Sequence, residues 1–261
     1  MLPIKIVLRM ARRFVRSLLA SRGVHAIWSM LRCFAVYYLT VFGISFSERE
    51  VMLRLTKLRA IVDISESEIF AYWRIWHEHA YEALAEFRAK HGCTMDIGAN
   101  VGFYAMRRAI TYEDLQVYAF EPSRPAFSRL KRNIETNRLS NVLAFNHAIG
   151  NHSGSIRFDV AQPSIRSCVS ENGSVEVPCK TLDDVVREHK LSHVDSIKIN
   201  TEGYEVFVLQ GAKATLQRVS RVVLELHGAE DKHNRIQTLL QDSGFHLATK
   251  KDNLWYFVRH V

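Results

Sequence analysis

No Asp or Glu precedes Glu48, whereas Lys5, Arg9, Arg12, Arg13, Arg16, Arg22 and Arg32 all do. The formal net charge of +8 in this 261-residue chain is therefore largely an N-terminal property. Cysteine is scarce: Cys33, Cys93, Cys168 and Cys179 are the only four, and none forms a C-x-x-C pair. That spacing argues against a metal cluster and a disulfide scaffold, and suits reduced, mostly buried thiols of an intracellular protein. Internal repeats and low-complexity tracts are absent, which excludes a solenoid, and 261 residues can bury a substantial core. The basic cluster comes without a helix-turn-helix, an RNP-like aromatic run or zinc spacing, so no nucleic-acid partner is expected. Asn151-His152-Ser153 and Asn172-Gly173-Ser174 match a short glycosylation pattern common enough to read as turns.

What the N-terminal end does contain is an apolar face. Ile4, Val7, Leu8, Ala11, Phe14, Val15, Leu18 and Leu19 recur at helical spacing, with Arg9, Arg12, Arg13 and Arg16 mainly on the flanks and opposite side. From Val24 to Phe46 the chain is nearly all apolar, broken by His25, Ser29, Arg32 and Thr40. This stretch is long enough to span a bilayer, but Arg32 near its middle costs about 2.5–3.5 kcal/mol. Three readings stand side by side: residues 1–46 lie on an anionic membrane surface, form a helical layer packed on protein, or serve as a cleaved address. The organisation expected is a basic and apolar helical segment over 1–60, a helical lead-in over 61–92 and a catalytic domain over 93–261. The location expected is cytoplasmic, peripheral on a membrane or anchored in it.

Asp96-Ile97-Gly98-Ala99-Asn100-Val101-Gly102 and, a helix length later, Val117-Tyr118-Ala119-Phe120-Glu121-Pro122 have the spacing of a nucleotide-cofactor site on an α/β sheet. Gly98 and Gly102 permit a tight strand-to-helix turn. Glu121, ending the second strand, stands where a carboxylate can accept both hydroxyl hydrogens of a ribose. The loop opens on an acidic residue and carries Asn100 where a dinucleotide fingerprint wants glycine. Asp96 would repel a pyrophosphate but attract a cation, and S-adenosylmethionine carries a sulfonium and an ammonium without any phosphate.

At these residues the chain resembles the FkbM-type S-adenosylmethionine-dependent methyltransferases, from about Cys93 to the C-terminus. Further blocks follow in the family's order: Leu130 to Asn133, Asn146 to Gly150, Lys180 to Asp184, Ile197 to Glu205, Leu209 to Ala212 and Val222 to His227. The family usually has Asp where this chain has Asn200. The resemblance implies a Rossmann-like α/β fold with a mostly parallel sheet, strands near 93–97, 117–121, 142–147, 195–200 and 221–227, and an antiparallel hairpin of 244–248 and 254–258 around the polar turn 249–253. Segments 155–158 and 175–178 read as a β excursion between the third and fourth strands. Glu66 to Arg88 reads as one helix opened by Ser65 or Ser67, with Ile69, Tyr72, Trp73, Trp76 and Ala80 on one face.

The implied cofactor residues are Asp96, Gly98, Ala99, Asn100 and Gly102 for the methionine portion, and Glu121, Pro122 and Ser123 at the ribose. Asn146, His147 and Ala148 would border the adenine, with His147 also readable as a plain strand-end residue. Asn200, Glu202 and His227 are the candidates at the reacting centre, Glu202 first for touching a substrate hydroxyl and His227 as the alternative base. Glu205 reads as a first-turn helix carboxylate and Lys198 as a buried structural lysine. No metal is expected, because an Asn at 200 is a weaker ligand than Asp. The function expected is O-methylation of a glycan, glycolipid or secondary-metabolite hydroxyl. A methyltransferase fold kept only for binding and a nicotinamide oxidoreductase are the rivals, and the sequence fixes no oligomeric state.

Overall fold

The computed structural model describes residue 15 and residues 24–41, 50–54, 58–63, 68–88, 91–159, 168–170 and 172–259. Helix α1 (Val24–Val41) leads into the antiparallel hairpin β1 (Glu50–Arg54) and β2 (Arg59–Asp63), then α2 (Glu68–Trp76) and a 3-10 turn at Ala85–Phe87. The main sheet begins with β3 (Gly92–Ile97), α3 (Phe103–Thr111), β4 (Leu115–Phe120), α4 (Arg124–Thr136) and β5 (Val142–Phe145). Next come β6 (Ala148–Ile149), β7 (Gly154–Asp159), β8 (Cys168–Val169), β9 (Val175–Lys180), α5 (Leu182–Glu188) and β10 (Val194–Ile199). The chain ends on α6 (Glu205–Gln210), α7 (Lys213–Leu216), β11 (Val219–Glu225), α8 (Glu230–Asp242), β12 (Phe245–Lys251) and β13 (Leu254–Arg259).

Seven strands form the main sheet in the order β12-β13-β11-β10-β3-β4-β5. The five from β11 to β5 are parallel, and β13 runs antiparallel to β11 and β12. Buried Val117, Tyr118, Ala119 and Phe120 explain why β4 sits inside the sheet: a run that is apolar on both faces needs cover on both. The chain builds outward from β3 to β5 and then crosses back to place β10 on the other side of β3. Ligands in open α/β sheets bind at the carboxyl ends of strands beside such a reversal. This is the Rossmann-like sheet the sequence implies, closed by its hairpin, whose strands run on until only Asp252 and Asn253 make the turn. The β excursion is larger than its two segments suggest, since β6, β9, β7 and β8 form a sheet of their own.

Two expectations need correction. The helix expected over Glu66 to Arg88 stops at Trp76, because His79 and Tyr81 adopt left-handed backbone, at φ 53° and 72°. Tyr81 is drawn instead onto Tyr104, ring centroids 5.5 Å apart, so tertiary contact overrides the helical pattern. The proposed Ser65 or Ser67 cap lies outside the described residues. The boundary at residue 60 falls inside β2, and the N-terminal elements pack onto the main sheet and its helices. Cys33 and Phe34 of α1 are buried with Leu53, Leu58, Tyr72, Trp73, Phe103, Tyr104, Val223 and Tyr256 in a single cluster. The same helix leaves Val24, Ile27, Trp28 and Leu39 exposed. Among the described residues no helix is long and apolar enough to cross a membrane. The basic amphipathic stretch before it, residue 15 apart, lies outside the described residues.

Candidate active site

A cavity of about 440 Å³ opens at the carboxyl ends of β3, β4 and β10, within the size range of small-molecule sites. The turn after β3 forms one wall. Gly98 N–H and Ala99 N–H both donate to Phe120 O at 3.0 Å, which ties the turn to the end of β4. Gly98 takes φ 73°, and a Cβ there would lie 1.8 Å from Asn200 O, so only glycine lets β3 and β10 approach this closely. Glu121 backs the same turn: Oε2 accepts from Asn100 N–H at 2.7 Å and Oε1 from Ser123 N–H at 2.8 Å. Each oxygen keeps a further lone pair. Burial pushes this carboxyl up to about 7, against the pull of the two backbone donors and Lys198.

Gly98, Ala99, Asn100, Glu121, Pro122, His147 and Ala148 line the cavity, beside Ile97, Val101 and Phe120. His147 faces Phe120 at 5.4 Å and Phe145 at 5.7 Å, and burial beside Lys180 lowers it to about 4, so it is neutral near pH 7. Among the described residues, the buried atoms Asn100 Oδ1 and His147 Nε2 have no hydrogen-bonding partner. A carboxylate with spare lone pairs, a glycine turn, unpaired polar atoms and an apolar ring wall are the donor set that a ribose and a purine require. They fit S-adenosylmethionine.

Four expected cofactor residues stand behind the wall. Asp96 is fully buried, and its Oδ1 lies 2.8 Å from Lys198 Nζ, its register partner on β10. The carboxylate expected to favour an ammonium directly or through water is thus paired with Lys198, which itself donates to Gly98 O at 2.7 Å and lines the cavity. Asn146 Nδ2 donates to Glu121 O at 2.8 Å and Pro122 O at 3.1 Å, fixing the loop after β4. Gly102 packs on Leu130, where a Cβ would come within 2.4 Å, and Ser123 is buried ahead of α4.

The reacting-centre candidates come together at the ends of β10 and β11 in the same cavity, with Asn200 next to the glycine turn. His227 Nε2 lies 3.1 Å from Asn200 Oδ1 and 3.5 Å from Glu202 Oε1, and all three residues line the cavity. Burial raises the Glu202 carboxyl above its ordinary value, with His227 pulling it back. Glu205 turns away: its Oε1 accepts from Gly203 N–H at 2.8 Å and contacts Thr201, closing the first turn of α6. Glu225 at the end of β11 receives Arg74 at 2.5 Å, Asn253 at 3.1 Å, Asn200 Nδ2 at 3.1 Å and the Tyr81 hydroxyl. Burial disfavours its charge, yet Arg74 and these donors outweigh burial and hold it below the usual carboxylate range.

Sequence reasoning missed Arg74 and Tyr81 as wall residues, along with Phe70, Ala71 and Ile75 of α2 and Phe158 and Val169 of the small sheet. Arg74 was the one basic residue in an aromatic helix, which is a signal in retrospect. Tyr81 had none, because its place depends on a left-handed turn at a residue type that rarely takes one.

The profile of the methyltransferase FkbM domain matches residues 96–247. The hexuronic acid methyltransferase AglP of Haloferax volcanii is 27% identical over 165 residues, 61% of this chain and 67% of its own. Methyltransferase sdnD of Sordaria araneosa is 26% identical over 212 residues, covering 67% and 81%. The 2-O-methyltransferase NoeI of Sinorhizobium fredii is 28% identical over 156 residues, covering 52% and 63%. With the loop, the strand-end carboxylate and the sheet order already in place, the match over most of the catalytic core has one meaning: the chain belongs to the FkbM family of S-adenosylmethionine-dependent methyltransferases.

Proposed function

We propose that the protein methylates a hydroxyl of a glycan, glycolipid or secondary metabolite. The carrying observation is that one cavity is lined both by the glycine turn and Glu121 and by the Asn200, Glu202 and His227 group. When bound, S-adenosylmethionine supplies an electrophilic methyl carbon on a sulfonium. The turn from Gly98 to Asn100 would hold the methionine portion and Glu121 the ribose, while His147 and Ala148 border the adenine. Glu202 and His227 would hold the acceptor hydroxyl and take its proton as the new bond forms. The hydroxyl class rests on the relatives, one named for hexuronic acid and another for 2-O-methylation. Calorimetric titration with S-adenosylmethionine and with NAD, followed by labelled methyl transfer to uronic acids and other polyhydroxylated acceptors, tests it. Binding of NAD alone, or binding of neither, would replace the proposal with one of its rivals.

Glu121→Ala is expected to weaken S-adenosylmethionine binding by about 1.5–3 kcal/mol in a folded protein, as for loss of a charged hydrogen-bonding group. Since its carboxyl titrates at about 7, it is ionised above that pH and loses acceptor capacity as pH falls through it. Wild-type affinity should therefore drop between pH 8 and pH 6, and Glu121→Gln should flatten that slope. Unchanged affinity in folded Glu121→Ala would remove the residue from the site.

We also propose that residues 1–46 bring the enzyme to an anionic membrane surface without spanning it. The support is the acid-free basic start and the exposed Val24, Ile27 and Trp28 of α1. Vesicle sedimentation reads it: the full chain should bind anionic vesicles better than neutral ones, with salt narrowing the gap. A full chain that ignores both vesicle types makes the segment a protein-packing layer alone.

A further inference from the structure

We infer that His227 accepts its proton at Nδ1, and that Glu225, held by Arg74 and Tyr81, acts through Asn200 to impose that tautomer. This rests on the reading of His227 as a base at the acceptor hydroxyl. The logic begins at Glu225, because an ionised carboxylate only accepts hydrogen bonds. Arg74 and Asn253 donate to its Oε1, and the Tyr81 hydroxyl and Asn200 Nδ2 to its Oε2. Asn200 must therefore turn its amide nitrogen towards Glu225, which leaves its oxygen facing the other way. That oxygen lies 3.1 Å from His227 Nε2 and can only accept, so Nε2 must carry the hydrogen. Glu202 Oε1, 3.5 Å from the same nitrogen, asks for the same polarity. A neutral imidazole has one N–H, so the lone pair is on Nδ1.

The consequence is directional. As the acceptor oxygen gains the methyl carbon, and the carbon–sulfur bonding pair stays on sulfur, the hydroxyl proton goes to Nδ1. The imidazolium so formed already has its Nε2–H between an amide oxygen and a carboxylate, which stabilises the charge where it appears. An amide at position 200 suits this role, since a second carboxylate there would sit against Glu225. Arg74 and Tyr81 belong to a segment before the matched family domain, yet they fix the far end of the chain of contacts. Tyr81 does so from a left-handed backbone, held by Tyr104 and by its own hydroxyl bond.

Long-range proton–nitrogen correlation spectra of the ¹⁵N-histidine-labelled full chain, with His227→Asn used for assignment, read the tautomer without any turnover. The wild type should show the Nε2–H form. Glu225→Gln, whose amide can present either polarity to Asn200, should show a mixture, with kcat falling in proportion to the Nε2–H fraction lost and acceptor KM little changed. An Nδ1–H form in the wild type overturns the inference, and that measurement does not depend on any variant folding. If the tautomer is as stated but His227→Asn still transfers methyl at the wild-type rate, the network stands and the assignment of His227 as the base falls.

Discussion

His227→Asn and Glu202→Gln are each expected to lower kcat by about 10²- to 10⁴-fold, the range for loss of a positioned general base. Affinity for S-adenosylmethionine should stay unchanged, because neither side chain is among the residues expected to hold the cofactor. The two residues sit 3.5 Å apart, and one carboxylate close to one imidazole forms a unit, so the double variant should lose little more than the worse single. Single-turnover rates together with cofactor titration check both halves of the expectation. Losses that multiply in the double variant would mean two independent roles. Asn200→Asp keeps an acceptor for His227 Nε2–H but sets a second carboxylate against Glu225, so turnover should fall if the amide orients its neighbour; an inert wild type switched on by that substitution would mark a degenerate member of the family.

The second large effect falls on stability. Glu82 receives Arg108 at 2.7 Å and Arg107 at 2.6 Å, and both Glu82 and Arg108 are within 1% of full burial. Glu82→Ala would strand the Arg108 guanidinium in the interior with Phe87 O as a remaining acceptor at 3.1 Å. Removing one partner of a buried pair costs about 3–5 kcal/mol, chiefly through the charge left behind. For a chain of this size that is a fall in Tm of roughly 6–20 °C. Replacing Arg108 by Met in the same protein should recover much of the loss, since the stranded charge is then gone. A Glu82→Ala protein within about 1 kcal/mol of wild type in urea unfolding would show that water reaches Arg108 and that the pair matters little.

What the sequence reveals of this site follows from how local each feature is. The glycine turn and Glu121 are legible because backbone sterics and strand ends fix them within a few residues. Asn200, Glu202 and His227 are legible as a group because parallel strands deliver their ends to one edge, and the cavity brings all three together. The pairing of Asp96 with Lys198, its register partner on β10, was not legible because pattern reading treats the two strands separately. Arg74 and Tyr81 escaped because helical periodicity predicts a continuous helix to Arg88, and only tertiary contacts break it after Trp76. In the N-terminal part, the apolar character of α1 is evident from composition, but that Cys33 and Phe34 cover the hairpin is not.

The separation along the chain of the two halves of the Glu225 contact has a consequence for biosynthesis. Arg74 and Tyr81 bond to a residue 151 and 144 positions later. At a translation rate of about 5–20 residues per second, α2 and the turn after it wait roughly 7–30 s for β11 to be made. During that interval Tyr72, Trp73 and Tyr81 have no finished core to enter, and the aromatic helix is a surface for a holding chaperone or for aggregation. Because the site closes only when the last strands meet this early segment, a nascent or truncated chain could have a complete glycine turn and still lack the clamped Glu225. Competence for turnover would then appear late in synthesis, after the cofactor wall has already formed.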